Sequence, residues 1–213
     1  MKQGRQTARH ADTAFDLKRA ARAEFAARGF DGASVRAITT AAGVNLGAIT
    51  YHFGSKQALY ETVVSDALEQ AAVRMEAAAS SAERTPLERA GEVVRVFFDY
   101  FGENPEVPRL MLQALASRQG PPAAVAVHLQ RMIAALAALV MAGQRDGSIR
   151  PGDARLLAMS IVSNPLHLNI VRIPLQQFMG IDLANAAVRG RLIENAVHFV
   201  RGGLAALPGG GAS

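Results

Sequence analysis

The stretch from Ser34 to Lys56, SVRAITTAAGVNLGAITYHFGSK, constrains this chain more than any other. It reads as two short helices joined by a tight turn. Ser34 caps the first helix, whose inward positions are Val35, Ile38 and Ala42. Gly43 ends it, because a residue without Cβ takes the left-handed conformation found past a helix C-terminus. Val44 fills the corner, and Asn45 is a favoured N-cap for a second helix over Leu46 to Phe53. That helix has about two turns, too few to be stable in water on propensity alone. It has to be held by neighbours. Leu46, Ile49 and Phe53 can face a core, which leaves Gly47, Ala48, Thr50, Tyr51 and His52 outward. These are small groups, a hydroxyl and two flat polar rings, with no acid among them. A short helix with such an outer face, set across its predecessor, suits insertion into the DNA major groove.

The charge distribution points the same way. Residues 1–60 hold nine Lys and Arg against four Asp and Glu, whereas residues 61–213 hold fourteen of each. The whole net charge of +5 therefore lies in the segment that carries the two short helices. A polyanionic partner for that segment is the simplest physical reading.

The run AGVNLGAITYHFGSKQALY, with Ala-Gly-Val before the second helix and Tyr-His-Phe-Gly-Ser-Lys at its end, resembles the TetR-type transcriptional repressors. The motif match covers Thr13 to Tyr60, and beyond it the likeness is one of length and all-helical layout. The resemblance implies an all-α chain of about nine helices. An N-terminal three-helix helix-turn-helix headpiece would be followed by a C-terminal helical domain for ligand binding and dimerisation. The domain boundaries expected are a flexible basic arm over 1–11, a DNA-binding domain over 12–60, an effector and dimerisation domain over 61–207, and a flexible tail over 208–213. By motif position, the residues implied at DNA are Ser34, Thr39, Thr40, Asn45, Gly47, Ala48, Thr50, Tyr51, His52 and Lys56. Ala48 and Thr50 are expected at base edges and Gly47 at a point of close approach. Tyr51, His52 and Lys56 are expected at phosphates, with Thr39 or Thr40 adding to that. Tyr51 could equally brace the headpiece.

The remaining helices follow from local signals. Phe15, Leu17 or Lys18, Ala21 and Phe25 form the stripe of a first helix that starts near Asp12 or Thr13 and closes at Gly29. Ser55 caps a helix running towards Glu83. Thr85-Pro86-Leu87-Glu88 is a start signal with a cap, a proline in the first position and Glu three after the cap. Shorter and longer helices follow over Val107 to Arg118 and from Pro122 to Arg145. Asp153 caps a helix that is apolar nearly all round and should be buried on more than one side, with a kink at Pro165. Asp182 is expected to cap the last. By resemblance, the last two long helices form a homodimer interface, and the dimer binds a palindromic operator in double-stranded DNA.

The resemblance also implies a small-molecule pocket between the helices of 85–174. Its candidate lining is Phe97, Phe101, Met111, Leu115, His128, Met132, Asn164, His167 and Arg172, with His167 beside Pro165 as the leading contact. Polar groups among apolar neighbours need partners, because an unpaired buried group costs about 1–3 kcal/mol. A mainly hydrophobic effector, of anionic character if charged, fits such a lining. The alternative is a C-terminal domain that serves only dimerisation or a protein partner.

Other classes find little support. The chain has no cysteine, which excludes disulfides, thiol catalysis and Cys-ligated metal and fits a reducing cytoplasm. No Gly-rich phosphate loop, no metal-spaced His/Asp/Glu set and no nucleophile motif occurs, so neither catalytic residues nor a cofactor nor a metal is expected. The start MKQGRQTARHADT is polar and unlike a signal peptide. The apolar stretch Leu156–Pro174 is too interrupted by polar residues to be a membrane span.

Overall fold

The computed structural model describes residues 2–117 and 120–206, with side chains described from His10 onward except at 11. The described residues form ten helices and no strand. They are α1 (Lys2–Gly32), α2 (Val35–Ala41), α3 (Ala48–Phe53), α4 (Lys56–Ser80), α5 (Pro86–Glu103), α6 (Val107–Leu115), α7 (Ala123–Arg145), α8 (Ala154–Ile170), α9 (Arg172–Met179) and α10 (Ala186–Leu204). The chain divides into two compact units. The first holds residues 1–68 and 109–126, and the second holds 69–108 and 127–213. The division falls after residue 68, inside α4. The segment 109–126 groups with the first unit. The tail expected over 208–213 lies outside the described residues.

In the first unit, α1 extends back to Lys2, so the segment anticipated as an arm over 1–11 is helical from Lys2. Gly29 breaks the helix (φ 71°, ψ 177°), and the following turn carries Phe30 back towards the core. There Phe25, Phe30 and Tyr60 form an aromatic cluster. The Phe25 and Tyr60 rings meet edge-on at 5.1 Å, and Phe30 lies 6.2 Å from Phe25 and 5.3 Å from Tyr60. Leu17, Ala21, Phe25, Ile38 and Leu59 are fully buried around it. Phe15, expected on this stripe, is exposed instead.

In the second unit, α5, α8 and α10 pack against one another. The α5 start is the capping box expected: Thr85 Oγ1 accepts from Glu88 N–H, and the Glu88 carboxylate accepts from Thr85 N–H at 2.9 Å. Those backbone and side-chain hydrogen bonds from Thr85 hold the Glu88 pKa below the usual carboxylate value. A depressed folded pKa makes this contribution present above the unfolded pKa and lost as pH falls through the folded one. Thr85→Ala should lower Tm by about 2–4 °C at neutral pH. The gap from wild type should narrow in acid, as differential scanning fluorimetry at pH 7 and pH 3.5 would show.

Two details differ from the sequence reading. Asn185, not Asp182, caps α10, accepting from Ala187 and Val188 N–H, because Asp182 lies four residues before the helix and caps the preceding turn at Ala184 N–H. α8 also runs unbroken through Pro165, and the bend of 61° comes at Val171, where α9 begins. α7 is long and apolar enough by composition to cross a membrane, but Met132, Leu136 and Val140 are buried in the second unit as core positions.

Candidate functional site

The two short helices pack on each other, and Ile38 of α2 and Ile49 of α3 are both buried. Ser34 Oγ accepts from Ala37 N–H, as its capping role requires, and Gly43 sits at φ 69° with Val44 N–H returning to Thr39 O at 2.9 Å. α3 itself begins later than its cap signal suggests. Asn45 caps with its backbone carbonyl, which accepts from Ala48 N–H at 3.1 Å; the residue at the N-cap position is Gly47, without a side-chain bond. The loop thus spends Leu46 and Gly47 on a turn before the helix starts. The inward face is consequently shifted. Ala48 and Ile49 are buried and His52 and Phe53 half-buried, whereas Leu46 is 58% exposed.

This shift sorts the expected DNA residues. Ser34, Thr40, Asn45, Gly47, Thr50 and Tyr51 are exposed, and His52 and Lys56 are half-exposed. Ala48 is 8% exposed and belongs to the core, not to a base-reading face. Thr39 is also buried, and its hydroxyl donates to Val35 O at 3.0 Å and to Arg36 O at 3.2 Å. A hydroxyl committed to its own helix is not offered to a phosphate. In place of these two, the exposed surface gains Leu46 and Arg36, which the sequence reading assigned to the core or passed over.

One further group was not legible from spacing. His10 of α1 comes to the outer face of α3, where its Nε2 lies 3.2 Å from the Tyr51 hydroxyl. Its ring stands 5.2 Å from the Tyr51 ring and 5.1 Å from that of His52. Tyr51 remains 70% exposed, so it both braces α3 against α1 and presents a ring to solvent. At the end of α3, Gly54 (φ 81°) turns the chain and Ser55 Oγ accepts from Ala58 N–H at 3.0 Å, starting α4. Lys56 Nζ then lies 4.7 Å from the centre of the Phe30 ring, a cation–π contact that fixes the ammonium at the head of α4. Burial pushes the neighbouring Tyr60 phenol up from its usual pKa.

Not all of the positive excess is available to a partner. Lys18 pairs with Asp66 at 2.7 Å, Arg19 with Asp16 at 3.0 Å and Arg28 with Glu24 at 3.2 Å. Arg36 and Lys56 have no carboxylate partner among the described residues, and they flank the α2–α3 surface.

The expected ligand residues are scattered more widely. Met111 and Leu115 lie on α6 in the first unit, Met111 buried and Leu115 exposed. In the second unit Phe97 and Met132 are buried core, His128 and Asn164 are half-buried, and His167 and Arg172 are exposed on α8 and α9. The Asn164 Oδ1 is buried without a hydrogen-bond partner. A cavity of about 410 Å³ in this unit takes in Phe101 and Arg172 from that set, together with Asn169 and Arg189. Among the described residues, no group of three or more His, Asp or Glu is placed to hold a metal ion.

Comparison with known proteins sets this geometry in context. A family model described as bacterial regulatory proteins of the tetR family matches residues 17–63. A second, described as the tetracyclin repressor-like C-terminal domain, matches residues 86–200. No curated protein matches in sequence. Among solved structures, a TetR family transcription regulator from Marinobacter aquaeolei VT8 has a TM-score of 0.75 at 22% identity, covering 97% of this chain and all of that one. The ketosteroid transcriptional regulator KstR2 of Mycobacterium tuberculosis scores 0.71 at 20% identity, covering 91% and 95%. The transcriptional regulator FadR of Bacillus subtilis, solved in complex with stearoyl-CoA, scores 0.70 at 19% identity, covering 89% and 98%. At these identities the likeness is one of fold.

Proposed function

The chain belongs to the TetR family of DNA-binding transcription regulators, and we propose that it is a homodimeric cytoplasmic repressor of a palindromic operator, released by a small molecule. The observation that carries the DNA half is the exposed α2–α3 surface: a short helix held from below by Ile49, presenting Gly47, Thr50 and Tyr51 with no acid among them. Thr50 would read a base edge, and the Leu46 side chain would lie on a thymine methyl. Lys56, His52 and Tyr51 would hold phosphates, with Arg36 adding charge.

The dimer is supported by an unpartnered apolar face. Leu156 and Met159 on α8 and Phe199 on α10 are exposed, although α8 and α10 pack on each other and on α5. Gly202 and Gly203 beside Phe199 have open space where a Cβ would stand, which allows another helix to approach closely. A twofold pair of headpieces would place two α3 helices about one DNA turn, ~34 Å, or slightly more apart.

The effector half is supported by the cavity of the second unit, and by the stearoyl-CoA complex of a regulator with the same fold. Release of DNA would be a population shift set by the effector's differential affinity for two states. A second reading, with no small molecule and a C-terminal domain that only dimerises, gains from the burial of Phe97 and Met132 as ordinary core.

Binding to the chain's own upstream DNA, followed by fluorescence anisotropy across a salt series, tests the interface. Lys56→Ala should weaken every sequence alike and reduce the salt slope by about one. An unchanged slope would remove Lys56 from the phosphate set. Thr50→Ala should instead alter preference at particular base positions, and uniform weakening would place Thr50 on the backbone.

A further inference from the structure

The cavity in the second unit is bounded by the end of α5, the α8–α9 bend and the segment entering α10. Its polar walls carry more positive than negative charge. Arg172 is exposed at the rim and has no ion-pair partner among the described residues. Arg189 forms an ion pair with Asp99 at 3.6 Å, a separation too long for a hydrogen bond, so its N–H donors stay open. A Cβ at Gly102 would stand 2.8 Å from the Arg189 guanidinium, so the missing side chain is what lets that group lie against α5. Asp182 is the acid among the lining residues, and its carboxylate accepts from Ala184 N–H at 2.9 Å instead of pairing with either arginine. Asn169 is 8% exposed. One of its amide N–H groups donates to Pro165 O at 2.8 Å, and the residue lines the cavity. Phe101 and Ile173 supply apolar wall beside these groups.

We propose that this cavity binds a monoanionic organic carboxylate, with the carboxylate held between Arg172 and Arg189 and an apolar body against Phe101 and Ile173. Neither guanidinium makes a hydrogen bond among the described residues, so their N–H groups are open to a carboxylate, while Asp182 in the lining and Asp99 beside Arg189 disfavour a second negative charge on the ligand. Planar guanidinium groups match carboxylate oxygens through paired N–H bonds, and such charge-assisted bonds are stronger than neutral ones. The volume lies in the range of small-molecule sites. This assignment rests on the proposed effector role of the second unit and adds to it the chemical class of the ligand.

The test is calorimetric titration of the full chain with three probes that share one body: 4-phenylbutanoate, 4-phenylbutan-1-ol and 4-phenylbutylammonium. The carboxylate should bind at least ~10-fold more tightly than the alcohol, and the ammonium more weakly than both. In the double variant Arg172→Gln/Arg189→Gln the carboxylate should fall to the level of the alcohol, whose own affinity stays unchanged. Gly102→Ala, which displaces Arg189 alone, should give a smaller loss. Equal binding of acid and alcohol, an acid affinity that survives the double variant, or no binding of any probe would overturn the carboxylate assignment. Native mass spectrometry of the freshly purified protein separates this from failure of the effector reading. A bound neutral or cationic molecule that releases DNA keeps the effector and removes the carboxylate. Bare protein that no probe releases from DNA removes both.

Discussion

Phe199→Asp is expected to elute as a monomer in size-exclusion chromatography with light scattering, and to bind a palindromic operator ~100-fold or more weakly than wild type. Phe199 is 71% exposed, far more than a large aromatic side chain on a core helix needs to be, and Leu156 and Met159 stand exposed on the neighbouring α8. An aspartate there would place a charge within the proposed apolar contact, and removing an anchor buried in an interface commonly costs about 2 kcal/mol or more. Loss of the dimer also removes the second headpiece. A linked second site raises apparent affinity by roughly 10²–10⁴ without any new contact, so a monomer forfeits that factor even with an intact α3. Phe15→Asp is the matched control, because Phe15 is equally an exposed aromatic but lies on α1. It should leave the mass unchanged. If Phe199→Asp stays dimeric while operator binding is retained, the interface lies elsewhere, and the exposed Phe178 and Met179 at the end of α9 become the place to look.

The sequence made the class of this protein legible and misplaced some of the surface proposed to meet DNA. Strong local signals were read correctly: the Thr85–Glu88 capping box, the Ser34 cap, the turn at Gly43 and the break at Gly29 all depend on residues within four positions of one another. The phase of α3 was not read, because it depends on where the helix starts. Asn45 is a good cap by type, but here the chain makes one more turn before the helix, and that moves Leu46 outward and Ala48 inward. A six-residue helix gives periodicity too little length to settle such a shift. His10 was invisible for a different reason. Its partner Tyr51 is 41 residues away, and no spacing rule joins a polar residue near the start of α1 to one on α3.

The second unit shows the same limit. Counting apolar spacing picked out Phe97 and Met132, and spacing alone cannot distinguish a core residue from a cavity wall. The cavity is made by Arg189 and Asn169, which are brought together with Arg172 and Phe101 only when α9 turns by 61° from α8 and α10 returns beside α5. Helix α9 was itself missed, since it is a short piece whose amphipathic face is exposed on Ile173 and Phe178 and follows a proline-containing helix.

Phe25→Ala carries the other large expected effect, and it acts on the headpiece from within. Phe25 is fully buried and holds both Phe30 and Tyr60 by ring contact. Truncating a buried phenylalanine removes its transfer free energy and leaves a cavity, together about 3–5 kcal/mol. A fold with a typical net stability of ~5–15 kcal/mol cannot lose that much without local unfolding becoming frequent. The damage should spread along a defined route. Phe30 is the ring under the Lys56 ammonium, and Lys56 opens α4 directly after α3, so loosening Phe30 frees the cation proposed to hold a phosphate. Operator affinity should therefore fall together with the headpiece's protection in hydrogen exchange, while α5, α8 and α10 keep theirs and the protein stays dimeric. Tyr60 provides a separate readout. Burial raises its phenol pKa, so in wild type this group keeps its proton above the usual phenol range, and its stabilising contribution is present below the unfolded pKa and lost as pH rises through the folded one. Water admitted by Phe25→Ala should bring that ionisation back towards the ordinary value in an ultraviolet titration. Should Tyr60 titrate unchanged and operator binding persist in Phe25→Ala, the aromatic cluster would not be what positions α3 and Lys56, and the support for the DNA-facing surface would have to be sought in Ile38 and Ile49 alone.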